Sequence, residues 1–206
     1  MSPTREQLAQ QIVDAGRFLY GRGWSPATSS NYSARLSASE ALLTVSGKHK
    51  GQLGLDDVLA TDMQGRSLEE GKKPSAETLL HTQLYNWRAE IGAVLHTHSV
   101  NATVLSRLTT ADHLQFEDYE LQKAFSGIAT HESRVLVPIF DNDQDIARLA
   151  SKVQPWLEQH PDCVGYLIRG HGLYTWGARM SDALRQIEAF EFLFECELKV
   201  RALSRG

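Results

Sequence analysis

Ile91-Gly92-Ala93-Val94-Leu95-His96-Thr97-His98 carries the reading of this chain. Ala93, Val94 and Leu95 form a short buried-type apolar run bounded by Gly92, which predicts a strand over Ile91–Thr97. On a strand, residues i and i+2 share a face, so His96 and His98 can converge on one cation. The alternative is two ordinary polar residues at a strand end. Zinc in catalytic sites takes about three protein ligands plus an open position, so a third ligand must come from elsewhere. Gly170-His171-Gly172 is the best candidate, because its glycines let the backbone turn sharply and clear space around an ion. The other five histidines have no such setting, and His113 and His160 are expected to be solvated.

The segments around this stretch predict alternating helices and strands. Thr4-Arg5-Glu6-Gln7 reads as a capping box. It opens a helix with Leu8, Ile12, Ala15 and Leu19 at helical spacing, ended by Gly21 and Gly23. Ser25–Asn31 is a polar loop. Ala41–Ser46 and Val58–Thr61 are expected strands, joined through Ser46-Gly47-Lys48-His49-Lys50-Gly51. A helix is expected from about Ser75 through Leu79, Leu80, Leu84 and Tyr85, and another over Ala102–Leu108. Val135–Phe140 reads as a strand stopped by Asp141-Asn142-Asp143, and a helix follows to Leu157. Cys163–Ile168 and Leu173–Trp176 read as strands. The last helix, from about Ser181, lines up Leu184, Ile187, Phe190, Phe194 and Leu198, and its further phenylalanine, Phe192, leaves apolar surface for a neighbour or another subunit. This order predicts a layered α/β fold. The short connections allow antiparallel pairing.

Composition bounds the rest. The chain has 206 residues, 42% hydrophobic and 22% charged, with a formal net charge of −4. That suits one domain over residues 1–206 and is too apolar for a disordered chain. The longest apolar runs are too short for a membrane-spanning helix. Met1–Glu6 lacks the apolar stretch of a secretory leader. Two cysteines, Cys163 and Cys196, cannot build a disulfide framework. A cytoplasmic protein is therefore expected, and the mild acidity without a basic block argues against nucleic acid as a partner.

Three further stretches carry chemistry. In Lys73-Pro74-Ser75-Ala76-Glu77, Ser75 at a helix start lies beside free backbone N–H groups that suit an anion. Glu77 in the first turn has a plain alternative explanation, since carboxylates favour helix N-termini. Thr28-Ser29-Ser30-Asn31 and Ser46-Gly47-Lys48 combine small hydroxyls, an amide, a glycine and a cation that can cradle a phosphate monoester, although most such stretches are solvated turns. Phe116-Glu117-Asp118-Tyr119-Glu120 reads locally as a solvated acidic face.

Thr28–Asn31, Ser46-Gly47, Pro74-Ser75-Ala76-Glu77, His96-Thr97-His98 and Gly170-His171-Gly172 follow, in order and spacing, the pattern of the class II aldolase/adducin family, which this chain resembles over about residues 5 to 200. Ala93–Ser99, Tyr119–Lys123 and Arg169–Gly177 are most similar to its dehydratase branch, which acts on 5-methylthioribulose 1-phosphate in methionine salvage. The resemblance implies a three-layer α-β-α sandwich with a mainly antiparallel central sheet. It implies a homotetramer with interfacial active sites and a small phosphorylated ketose as substrate. It implies Zn2+ held by His96, His98 and His171, Glu120 as the acid/base residue, and Glu77 at the position of the carboxylate that does proton work in the aldolases. The phosphate is expected on Asn31, Ser46, Gly47, Lys48 and Ser75. The aldolases carry Ser-Ser before that Glu, whereas this chain has Ser75-Ala76, so Lys48 is expected to compensate for the missing hydroxyl. Sugar-phosphate aldolase, 4-epimerase and a non-catalytic adducin-like scaffold are the alternatives on the same fold.

Overall fold

Thr4 opens the first helix as its sequence predicts. Its hydroxyl accepts from the Gln7 backbone N–H at 3.2 Å, and the Gln7 side chain accepts from the Thr4 N–H at 2.8 Å. In the computed structural model, which describes residues 3–204, that helix is α1 (Arg5–Gly21). Its buried stripe of Leu8, Ile12, Ala15 and Leu19 packs on a sheet of eight strands.

The strands are β1 (Asn31–Arg35), β2 (Glu40–Thr44), β3 (Val58–Asp62), β4 (Ala93–Thr97), β5 (His113–Phe116), β6 (Val135–Phe140), β7 (Gly165–Ile168) and β8 (Gly172–Gly177). The other helices are α2 (Thr78–Trp87), α3 (Val100–Leu108), α4 (Ile146–Gln159) and α5 (Met180–Leu203). The sheet order is β3-β2-β1-β4-β8-β7-β6-β5. Only β6 and β7 run parallel; the other neighbours pair antiparallel. Side-chain alternation along each strand then feeds two cores. Ala93 and Leu95 of β4 join Tyr32 and the α1, α3 and α5 side. Val94 faces the other way, with Leu80, Leu84 and Tyr85 of α2 and Leu149 and Val153 of α4. This is the three-layer α-β-α sandwich with a mostly antiparallel sheet.

Two strands depart from the sequence reading. β1 lies at the end of the expected polar loop, and β5 has no counterpart among the expected strands. In β1 the residues facing α2 are polar: the Arg35 guanidinium donates to the carbonyls of Tyr85, Arg88 and Ile91. Tyr32 and Ala34 alternate with these polar residues and face the α1 side, so the strand does carry a period-2 pattern, but it is short and its second face is polar, with partners supplied from within the fold. The helix expected near Ser75 begins at Thr78, with Glu77 as its cap residue. No helix among the described residues is long and apolar enough to cross a membrane.

Candidate metal centre

β4 sits mid-sheet between β1 and β8, with His96 opposite Asn31 on one side and Tyr174 on the other. His96 is fully buried. Its Nδ1 lies 2.9 Å from the Leu173 carbonyl oxygen. A carbonyl only accepts, so Nδ1 carries the proton and Nε2 presents its lone pair. That Nε2 lies 3.3 Å from His171 Nε2 and 3.4 Å from Glu77 Oε2. His171 repeats the arrangement, with Nδ1 3.3 Å from the side-chain oxygen of Asn142 and Nε2 3.2 Å from Glu77 Oε1. Ligand atoms of Glu77, His96, His98 and His171 all lie within 4.8 Å of one another.

Burial, reinforced by the neighbouring imidazoles, holds His98 down at about 3 and His96 well below the ordinary histidine value. Imidazoles converging beside a carboxylate are the donor set of a divalent metal, and the Nδ1 bonds of His96 and His171 are the kind of outer contact that turns Nε2 toward such an ion. The residues present therefore fit a metal ion. Gly172 permits the close pairing of β8 with β4, since a Cβ there would lie 2.0 Å from the Thr97 carbonyl oxygen and 3.1 Å from His96 Cε1. Gly170, with φ of +66°, makes the left-handed turn before His171.

Glu77 is held from behind. Its Oε2 accepts from Asn31 Nδ2 at 2.7 Å and from the Tyr174 hydroxyl at 3.0 Å. Asn31 in turn bonds His81, which sequence reasoning leaves among the histidines without a setting. His81 is fully buried on α2 and held at about 3 by that burial. The available signal is spacing, because positions 77 and 81 share a helix face. Of the two histidines expected to be solvated, His113 is exposed beside Asp112. His160 is half-buried instead, its ring stacked on Trp156 at 3.9 Å between centroids.

A cleft of about 280 Å³ opens over the cluster, lined by Thr28, Ser29, Asn31, Ser46, Gly47 and Ser75 among others. The two polar loops and the Ser75 turn thus meet beside Glu77, His98 and His171. Lys48 is not brought there: its ammonium pairs with Asp57 at 3.0 Å on the exposed side of its loop. The cation in the cleft wall is Lys50. Its ammonium donates to the carbonyls of Thr28 and Lys48 at 3.2 and 2.7 Å, tying the two loops together. Burial lowers it to about 8. Glu120 does not line the cleft. It starts an exposed 3-10 turn, Glu120–Ala124, where the Lys123 ammonium bonded to it holds its carboxyl below the ordinary range. A larger groove of about 880 Å³ lies by Leu8, Phe18, Ile91 and Met180, away from the cluster.

The model of the class II aldolase and adducin N-terminal domain matches residues 10–198. The chain belongs to the class II aldolase/adducin family. Within that family it is 89% identical to the methylthioribulose-1-phosphate dehydratase of Pseudomonas fluorescens over 203 residues, 98% of each chain. It is 86% identical to the enzyme of the same name from Pseudomonas syringae pv. syringae over 200 residues, 97% of this chain and 98% of that one. At such identity over the full length, this class II aldolase/adducin member is an enzyme of the hydro-lyase class. The fold is shared with the L-fuculose-1-phosphate aldolase of Thermus thermophilus, with a TM-score of 0.78 at 24% identity, covering 98% of this chain and 100% of that one.

Proposed function

We propose that this chain is a zinc-dependent dehydratase converting 5-methylthioribulose 1-phosphate to 2,3-diketo-5-methylthiopentyl 1-phosphate in methionine salvage. It works as one domain over residues 1–206 in a cytoplasmic homotetramer with interfacial active sites. The observation that carries the reading is the 89% identity to a dehydratase of that name. The Glu77, His96, His98 and His171 cluster under a polar cleft supports it.

The substrate is a 2-ketose with hydroxyls at C3 and C4, and losing water requires removing the C3 proton and expelling the C4 hydroxyl. A divalent metal, when bound by His96, His98 and His171, supplies Lewis-acid polarisation of the ketose carbonyl that acidifies C3–H. Ser46, Gly47, Ser75 and Asn31 hold the phosphate, with Lys50 as the nearby cation. That anchoring does no chemistry of its own; it orients C3 and C4 over the cluster. Glu120, carried by a 3-10 turn that packs on α5, reaches the cleft of a neighbouring subunit. There it moves the proton from C3 to the departing C4 oxygen, work worth roughly 10²–10⁴-fold. The placement of Glu77 within the cluster favours one second reading, an aldolase that cleaves C3–C4 with Glu77 as the proton carrier.

Replacing His96, His98 and His171 singly by alanine tests the site. Each variant is expected to lose bound zinc and turnover while keeping its circular dichroism spectrum. Full zinc occupancy with all three replaced would overturn the assignment.

A further inference from the structure

The bonds behind Glu77 have one consistent direction. A carboxylate only accepts, so the Asn31 amide must turn its Nδ2 toward Glu77 Oε2, 2.7 Å away. The Asn31 oxygen then faces His81 Nε2, with which it is hydrogen-bonded, so Nε2 carries the His81 proton. In the neutral ring Nδ1 accepts, and its partner at 2.7 Å is the Ser33 hydroxyl. Ser33 Oγ accepts in its turn from the Tyr85 hydroxyl, also at 2.7 Å. Ser33, His81 and Tyr85 are buried, so water cannot replace a member of the chain.

We propose that His81 is a positioning residue that, as the Nε2–H tautomer set by Ser33 and Tyr85, locks the Asn31 amide. Asn31 Nδ2 is thereby held on Glu77, and Glu77 faces the three histidines. One Nδ2 hydrogen serves Glu77, which leaves the second for the cleft that Asn31 lines. Asn31 therefore offers the cleft a donor, suited to an anionic or developing negative oxygen, and its acceptor oxygen stays turned inward. The inference rests on the reading of the cluster as a metal and substrate site, but the tautomer itself does not depend on it.

Long-range proton–nitrogen NMR of the labelled wild-type protein tests the tautomer. The expected spectrum has His81 protonated at Nε2 alone between about pH 6 and 8, where a free imidazole titrates. A proton on Nδ1, or an imidazolium, would overturn the proposal even if the protein binds metal and turns over substrate. His81→Leu tests the consequence. Zinc affinity, read by chelator competition, is expected to fall by roughly 10-fold, as for a lost outer contact to a metal site, with kcat falling in parallel. His81→Gln, which can donate and accept along the same line, is expected to recover most of both. With Asn31→Ala already present, His81→Leu should change zinc affinity little further. An equal loss in both backgrounds would mean that His81 acts through packing alone, and the proposal would fail. If wild type bound no zinc, the reading of the cluster would fail while the NMR result still judged the tautomer.

Discussion

Glu191→Gln is expected to stabilise the protein at alkaline pH and much less in acid. Glu191 lies on α5 with 2% of its surface exposed, and neither carboxylate oxygen makes a well-formed hydrogen bond among the described residues. Burial raises its carboxyl from the ordinary 4.5 to about 7; the Ser99 and Asn101 side chains, near it but outside good hydrogen-bond geometry, offset part of this, and Glu195 adds to it. The folded state thus holds this proton more tightly than the unfolded chain does. Stability is fully retained below the ordinary value, declines as pH rises toward 7, and carries the whole penalty above that. At about 1.4 kcal/mol per pH unit, ionising Glu191 in the fold costs roughly 3 kcal/mol. Glutamine keeps the shape and cannot ionise. In a chain of this size the gain at about pH 8 corresponds to roughly 6–12 °C in Tm, with only about a quarter of it present at about pH 5. Thermal unfolding of both proteins at the two pH values, at one fixed protein concentration, reads the difference. An equal effect at both, or destabilisation at the higher pH, would refute the reasoning.

The remaining predictions concern the site. Gly172→Ala should push β8 from β4, cost at least about 1–3 kcal/mol by overpacking, and lower zinc content, as melting curves and metal analysis would record. Lys50→Met should raise KM for the phosphorylated ketose and weaken inhibition by inorganic phosphate, while Lys48→Ala, paired away from the cleft, should leave both near wild type. Glu120→Gln should keep zinc bound and lower kcat by at least roughly 100-fold. Glu77→Gln should cost less in kcat, and the reverse order, with metal content measured on both, would transfer the proton work to Glu77.

The legible parts of this molecule are those with a local signature. The apolar run ahead of His96 marks the central strand, and alternation puts His96 and His98 on one face without any knowledge of neighbours. Gly170 and Gly172 flag a tight approach, which proves to be that of β8 to the Thr97 carbonyl. β1 carries only two alternating apolar residues, Tyr32 and Ala34, and Asn31, Ser33 and Arg35 around them look like loop residues until α2 and the segment after it supply their partners. The same holds for His81, whose bonds to Asn31 and Ser33 span 50 and 48 positions of chain. Lys48 and Lys50 are equivalent in sequence; what separates them is the 3-10 turn Lys50–Gln52, packed so closely on α1 that a Cβ on Gly16 would meet the Lys50 carbonyl at 2.6 Å. Glu120 stands in solvent in the single chain, so its proposed role depends on surface from another subunit that no local pattern encodes.

Product analysis tests the central claim most directly. Purified enzyme is incubated with 5-methylthioribulose 1-phosphate and followed by NMR and mass spectrometry, before and after removal and return of zinc. The account predicts zinc-dependent loss of one water to give the 2,3-diketone 1-phosphate with the carbon chain intact. C3–C4 cleavage into two fragments, or inversion at C4 without loss of mass, would contradict it.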